Sequence, residues 1–331
     1  MIYLAPLQGY TEAEYRLAWS SFFTGIDIAV SPFVPLSESL IFRAKHLRDV
    51  MPDKNLKMPV IPQVLGNEPG KFIRLSQRLA DLGYETVNWN LGCPKPAVAR
   101  KQRGSGILPF PEKIRAILDK IMPHLPVSLS IKTRLGYQSP EEFYELVTVY
   151  NDYPLESLMI HPRIGTQMYE GALHLGILDQ TINSIRHPIV FSGDIVTQAD
   201  FELISNRYPS ISRWMLGRGV LVNPFLPEIL LKGTDHLSDE IIRTKQYNFM
   251  DELYCEIKDK FQRERTILNK VKDYWSYFSR WYDGDVEIFT HLSRLNTLNE
   301  FIPAARHYMM HKPLAPFETR IGRPVGKASE V

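Results

Sequence analysis

The chain has 331 residues, 44% hydrophobic and 23% charged: an ordinary globular composition, with more residues than one compact core usually needs. A formal net charge of +2 excludes a basic field over the whole surface, so any polyanion site has to come from local clusters of Lys and Arg. The two cysteines, Cys93 and Cys255, lie far apart and form no CxxC pair, which excludes a disulfide framework and argues against a thiolate metal or iron–sulfur site.

The first predicted strand, residues 2–7, is too short an apolar run for a secretory leader and has no basic segment before it. No later run reaches the roughly 18 apolar residues of a membrane span. The expectation is a cytoplasmic protein without metal or membrane partner. Further strands are expected at residues 26–33, 59–65, 86–91, 127–133, 157–161, 189–192 and 213–216. Helical patterns fall at 12–22, 69–82, 111–121, 141–150, 176–185 and 198–205. Apolar strands alternating with helices indicate a parallel sheet buried on both faces. Eight repeats over residues 1–235 predict a (β/α)8 TIM barrel, with an open doubly wound sheet as the alternative.

Beyond residue 235 the strands stop. Residues 236–311 predict a small all-helical domain, and 312–331 an extended or disordered tail. Within 258–280 there are seven Lys/Arg and three acids. Lys258, Arg265 and Lys272 recur every seven residues, which on one continuous helix makes a single basic stripe. Ile267, Val271, Trp275 and Phe278 make a separate apolar face.

Chemistry-bearing residues gather at the strand ends, where barrels keep their active sites. Strand 1 runs into Pro6-Leu7-Gln8-Gly9, strand 3 carries Gln63, and strand 4 ends Asn90-Leu91-Gly92-Cys93-Pro94. Strands 5 and 6 end in Lys132-x-Arg134 and His161-x-Arg163. Strands 7 and 8 end in Ser192-Gly193-Asp194 and Gly217-Arg218-Gly219. Glycines after strands 7 and 8 let the backbone approach a phosphate, and Arg218 adds charge-assisted hydrogen bonds. A lysine at a strand end suits the negative charge of a reduced flavin, and Gln63 suits a pyrimidine edge. Cys93, a thiol at the barrel mouth, is a candidate general acid. The loop after it holds Lys95, Arg100, Lys101 and Arg103 with no acid. Its glycines, Gly104 and Gly106, suggest a segment that closes over a polyanion. Cys255 reads as a small apolar filler.

Taken together, Asn90-x-Gly92-Cys93-Pro94 and the stations at Ala5-Pro6-Leu7, Gln63, Lys132-x-Arg134, His161-x-Arg163 and Gly217-Arg218-Gly219 resemble the tRNA-dihydrouridine synthases. The resemblance covers residues 1–310. It implies FMN as cofactor, NADPH as reductant, and reduction of the C5–C6 double bond of particular tRNA uridines. Cys93 would protonate C5 while flavin N5 delivers hydride to C6. Implied flavin contacts are Pro6, Leu7, Gln8, Gln63, Lys132, His161, Arg163, Ser192, Gly193, Asp194, Gly217 and Arg218. Asn90 and Arg134 would hold the uracil. Arg100, Lys101, Arg103, Lys258, Arg265 and Lys272 would meet the tRNA. Ser192, Pro162 and Pro32 depart from the family pattern, where Asn, Gly and an acidic residue are usual. One catalytic mouth per chain fits a monomer. The alternatives are a flavin barrel reducing a free pyrimidine or small enone, and a tRNA-binding protein with a vestigial flavin site.

Overall fold

The structure is a computed structural model and describes residues 1–36, 47–320, 322, 324 and 325. Its strands are β1 (Ile2–Leu4), β2 (Ile28–Val30), β3 (Val34–Pro35), β4 (Val60–Ile61), β5 (Gln63–Leu65), β6 (Thr86–Leu91), β7 (Ser128–Gly136), β8 (Leu158–Ile164), β9 (Ile189–Ser192) and β10 (Arg213–Leu216). All pairings are parallel, in the order β3-β5-β6-β7-β8-β9-β10-β1-β2-β4.

Ten segments make eight barrel stations because two predicted strands are each nicked by proline. Residues 26–33 appear as β2, which stops before Pro32, with β3 just beyond, and Pro62 alone separates β4 from β5. Proline has no N–H to give to a ladder. Both halves still pair with the same neighbour: β2 with β4, and β3 with β5. The two ends of the order are therefore halves of adjacent strands, and the sheet closes on itself. Ser31 N donates to Ile61 O at 3.0 Å across this seam, and Asn88 N to Pro62 O at 2.9 Å on the far side.

Around the ring run α1 (Ala13–Phe22), α2 (Pro69–Asp81), α3 (Pro96–Ala99), α4 (Pro111–Ile121), α5 (Glu142–Asn151), α6 (Leu175–Thr181), α7 (Gln198–Arg207), α8 (Arg218–Val222) and α9 (Leu226–Lys232). Proline at the first turn starts α2, α3 and α4, where its missing N–H costs nothing. A reciprocal Thr197–Asp200 capping box starts α7.

Strand periodicity sorts the side chains. Along β7, Leu129, Ile131 and Leu135 join the large core under the helices, while Ser130, Lys132 and Arg134 alternate with them on the barrel's inner face. The sheet is buried on both faces, as expected, but within the barrel only the lower interior is apolar. It is plugged by Tyr3, Ala5, Val30, Ile61, Met159, Val190 and Met215. Above that plug the inner face turns polar.

The helical region contains α10 (Asp239–Lys260), α11 (Glu264–Phe278), α12 (Asp285–Arg294) and α13 (Leu298–His311). It shares its aromatic core with α1. Tyr15 meets Phe249 edge-on at 5.6 Å and stacks on Tyr274 at 5.9 Å, and Phe278 stacks on Trp281 at 4.4 Å. Ile267, Val271, Trp275 and Phe278 are buried, as their spacing predicts.

The basic stripe needs correcting. Lys258 lies on α10 and Arg265 and Lys272 on α11, with a non-helical break at residues 261–263. Seven-residue spacing gives one stripe only while the helix is unbroken. Lys272, moreover, donates to the carbonyls of Ser293, at 2.8 Å, and Leu295 at the end of α12. Residues 312–320 of the tail pack against the helical region and the barrel. Leu314 bridges to Tyr282, Ala315 N donates to Trp281 O at 2.9 Å, and Arg320 is buried.

Candidate active site

One cavity, about 990 Å³ counting the part open to solvent, occupies the mouth at the C-terminal ends of the strands. Most of the predicted site residues line it. Pro6, Leu7 and Gln8 come from the turn after β1, Asn90 from β6 and Cys93 from the turn after it, Lys132 and Arg134 from β7, and His161 from β8. Ser192 ends β9, Gly193 and Asp194 follow it, and Gly217 and Arg218 follow β10. The two-residue spacing of Lys132-x-Arg134 puts both side chains on the inner face, and register sets Asn90 beside Lys132 and Arg134 beside His161.

Cys93 is held from both sides. Asn90 Oδ1 accepts from the backbone N–H of Gly92 at 3.0 Å and of Cys93 at 2.9 Å. Asn90 Nδ2 donates to Gln63 Oε1 at 2.7 Å, Gln63 Nε2 to Asn88 Oδ1 at 2.8 Å, and Asn88 Nδ2 to Ser130 Oγ at 2.9 Å. This amide chain crosses the floor of the site and fixes the cysteine turn to three strands. Gln63 is wholly buried within it and does not line the cavity. Asn90 keeps one amide hydrogen for a ligand.

The basic loop packs onto the same turn. Ser105 N donates to Cys93 O at 2.9 Å and Ser105 Oγ at 3.1 Å. Gly104 has φ +57°, and a Cβ there would stand 2.5 Å from Cys93 O. A Cβ on Gly106 would stand 2.2 Å from Ala99 O. Their chemistry is close packing, which replaces the sequence reading of glycines for movement. Arg103 is tied down, donating to Asn67 Oδ1 at 3.1 Å and Glu68 Oε1 at 2.8 Å. Arg100 and Lys101 stay exposed on this loop, outside the cavity lining.

Burial pushes the Cys93 thiol above its ordinary value, against the pull of the Lys95 backbone N–H and of the charges on Lys95, Arg134 and Lys132. The thiol is therefore protonated at neutral pH. Burial, helped by Arg134, brings the Lys132 ammonium down to about 8. Burial and the surrounding cations Arg134, Lys132, Arg163 and Arg218 hold His161 well below its usual range, so it is neutral. Arg163 Nη1, which can only donate, lies 3.3 Å from His161 Nε2, which leaves the imidazole proton on Nδ1.

Arg163 does not line the cavity. It is buried behind His161, grips the Asp194 carboxylate with two N–H groups, and donates to Gly171 O at 2.7 Å. Asp194 also accepts from Arg218 at 3.2 Å and has φ +41°, a conformation held by this double clamp. A Cβ on Gly219 would stand 2.4 Å from Ile195 O, so the loops after β9 and β10 touch backbone to backbone. Lys258 and Arg265 are exposed on the helical region, and neither lines the cavity.

Lining residues that the sequence did not mark include Phe33 and Tyr169, and Lys95 of the basic loop joins them. Tyr169 lies between two guanidiniums, with Arg134 5.2 Å and Arg218 5.5 Å from its ring centroid. A lone aromatic in a loop carries no period that would mark it. The turn after β1 is also held from the helical region: Tyr274 OH donates to Tyr10 O at 2.7 Å, and Lys270 Nζ donates to Gly9 O.

A flavin mononucleotide fits these residues. Gly193 and Gly217 present bare backbone to the cavity beside the Arg218 cation, as a phosphate needs. Lys132, buried beside Arg134 and the Cys93 thiol, suits an electron-rich ring. Among the described residues, no group of three or more His, Cys, Asp or Glu could hold a metal ion, and no helix is long and apolar enough to cross a membrane.

Comparison with known proteins agrees with this geometry. The chain is 25% identical over 323 residues to the tRNA-dihydrouridine(16) synthase of Vibrio vulnificus (strain CMCP6), covering 93% of this chain and 97% of that protein. It is 31% identical over 252 residues to a probable tRNA-dihydrouridine synthase of Staphylococcus epidermidis (strain ATCC 35984), covering 74% of each. The fold is similar to that of the old yellow enzyme homologue of Zymomonas mobilis, with a TM-score of 0.51 at 9% identity over 72% of this chain and 90% of that one. The sequence matches the description of the dihydrouridine synthases from residue 3 to residue 307, and the chain belongs to that family.

Proposed function

We propose that the chain reduces the C5–C6 double bond of uridine in tRNA to dihydrouridine, with FMN as its flavin, NADPH as the source of electrons, and the chain acting as a monomer. The observation that carries this reading is one cavity lined by a thiol, a lysine and two glycine loops, in a chain of the dihydrouridine synthase family.

Gly193, Gly217 and Arg218 would hold the FMN phosphate, and Lys132 would offset the negative charge of the reduced ring. Bound flavin supplies the hydride that reaches C6. Cys93 gives its proton to C5, and its thiolate, steadied by Lys95, Arg134 and Lys132, regains a proton from solvent. Asn90 holds the cysteine turn and offers its free amide hydrogen to the uracil, beside Arg134. A uridine reaches this depth only when swung out of its stack, at about a few kcal/mol that must be recovered elsewhere. Arg100 and Lys101 on the basic loop, with Lys258 and Arg265 on the helical region, supply phosphate contacts for that purpose. Arg103 and Lys272 serve mainly to hold their own surroundings.

The test is to incubate FMN-loaded protein and NADPH with unmodified tRNA and read dihydrouridine by mass spectrometry. Wild-type protein forms it, and Cys93→Ala keeps the flavin absorbance but loses the product. Free uridine reduced as fast as tRNA would make this a small-molecule reductase instead.

A further inference from the structure

The short helix α8 carries Arg218 at its first position, and the carbonyls at its other end have no partners inside so short a helix. Three successive ones are met by side-chain donors from three separate parts of the chain. Tyr15 OH, from α1, donates to Val220 O at 3.3 Å. Trp281 Nε1, from the helical region, donates to Leu221 O at 3.2 Å. Arg320 Nη1, from the strap made by residues 312–320 and 322, donates to Val222 O at 3.3 Å.

Arg320 is the unusual member. It is 4% exposed, and its other bonds, at 3.1 and 3.4 Å, also end on a carbonyl, Ala315 O. Its guanidinium carbon lies 4.5 Å from the centroid of the Phe317 ring. Burial lowers its pKa to about 9, so it remains charged at neutral pH. A buried cation is costly unless something specific compensates it, and backbone carbonyls at a helix end are such acceptors.

The strap also supports the neighbouring loop. A Cβ on Gly322 would stand 2.6 Å from Val196 Cγ2, and Val196 lines the cavity. The strap thus backs both glycine loops from outside, while Gly219 packs them against each other within. Contacts this close transmit displacement.

We propose that Arg320 is a positioning residue for the phosphate end of the cavity: its hydrogen bond to Val222 O fixes α8 so that Gly217 and Arg218 hold the cofactor's terminal phosphate. The inference rests on the FMN reading above and assigns that site a support outside the barrel.

The experiment compares FMN with riboflavin, which has the ring but no phosphate, by titrating apoprotein of wild type, Arg320→Met, Arg320→Lys and Tyr15→Phe. Arg320→Met weakens FMN by about tenfold and riboflavin by less than about twofold, the scale of one charged contact to a helix end. Arg320→Lys recovers most of the loss. Tyr15→Phe, which removes only the bond to Val220 O, gives a smaller selective loss and keeps the inference testable if Arg320→Met does not fold. Equal weakening of both ligands, or of neither, in the variants that fold overturns the inference while leaving the cofactor reading intact. Wild-type protein that binds riboflavin as tightly as FMN overturns the cofactor reading itself, and the inference with it.

Discussion

The barrel mouth and the helical region respond differently to the same kind of reasoning. In the mouth, residues far apart in sequence converge because parallel register and two-residue alternation leave little choice: Asn90 pairs beside Lys132, and Arg134 beside His161. In the helical region, Lys258, Arg265 and Lys272 look equally regular, yet a break at residues 261–263 parts Lys258 from the other two, and Lys272 is spent on backbone carbonyls. A strand end is located by the sheet around it, whereas a helical stripe depends on every residue between its members. Regularity on a helix therefore needs proof that the helix continues.

The largest test of this contrast is Cys93→Ala in the mouth, which should lower turnover by about 10²- to 10⁴-fold, the usual worth of a positioned proton donor. FMN affinity should be unchanged, and steady-state rates with a flavin titration check both. The wild-type rate should fall with rising pH only beyond the ordinary thiol range, because burial raises this pKa.

Next comes Lys132. Its folded-state pKa of about 8 lies below the unfolded value of about 10.5, so the folded apoprotein carries a penalty in full below pH 8 that is relieved as pH rises toward 10.5. Lys132→Met should stabilise apoprotein in thermal melts at pH 7 and lower the flavin midpoint potential. Gly104→Ala puts a Cβ 2.5 Å from Cys93 O at a positive φ, and should cost about 1–3 kcal/mol in denaturant unfolding as well as slowing turnover.

The smallest effects separate the three cations of the helical region. Lys258→Glu and Arg265→Glu should each reduce the dependence of log affinity for tRNA on log salt by about one unit, as lost phosphate contacts do. Lys272→Met should leave that slope alone and cost about 1 kcal/mol of stability, because its ammonium bonds the carbonyls of Ser293 and Leu295. If all three behave alike in tRNA binding, the contrast between mouth and helical region fails.

Much of the mouth was legible in the sequence because its residues stand at predicted strand ends and their spacing is that of a strand. The roles of Gln63, Arg163 and Asp194 were not. Each was expected to touch the flavin, but Gln63 is a buried strut and Arg163 a clamp, and Asp194, though on the cavity wall, spends its carboxylate on two arginines. A sequence marks which polar residues face inward but not whether their hydrogen bonds go to a ligand or to each other. Tyr169 and the three side chains that donate to the carbonyls of α8 were invisible for another reason: each contact joins segments with no common period.

The aromatic stack joining α1 to the helical region bears on how such proteins can be recombined. Tyr15, Phe249, Tyr274, Phe278 and Trp281 interleave across what looks in sequence like a boundary near residue 235. A chimera that exchanges only residues 236–311 would part those rings and expose both halves. The exchangeable unit must also include α1, although more than two hundred residues separate it from its partners.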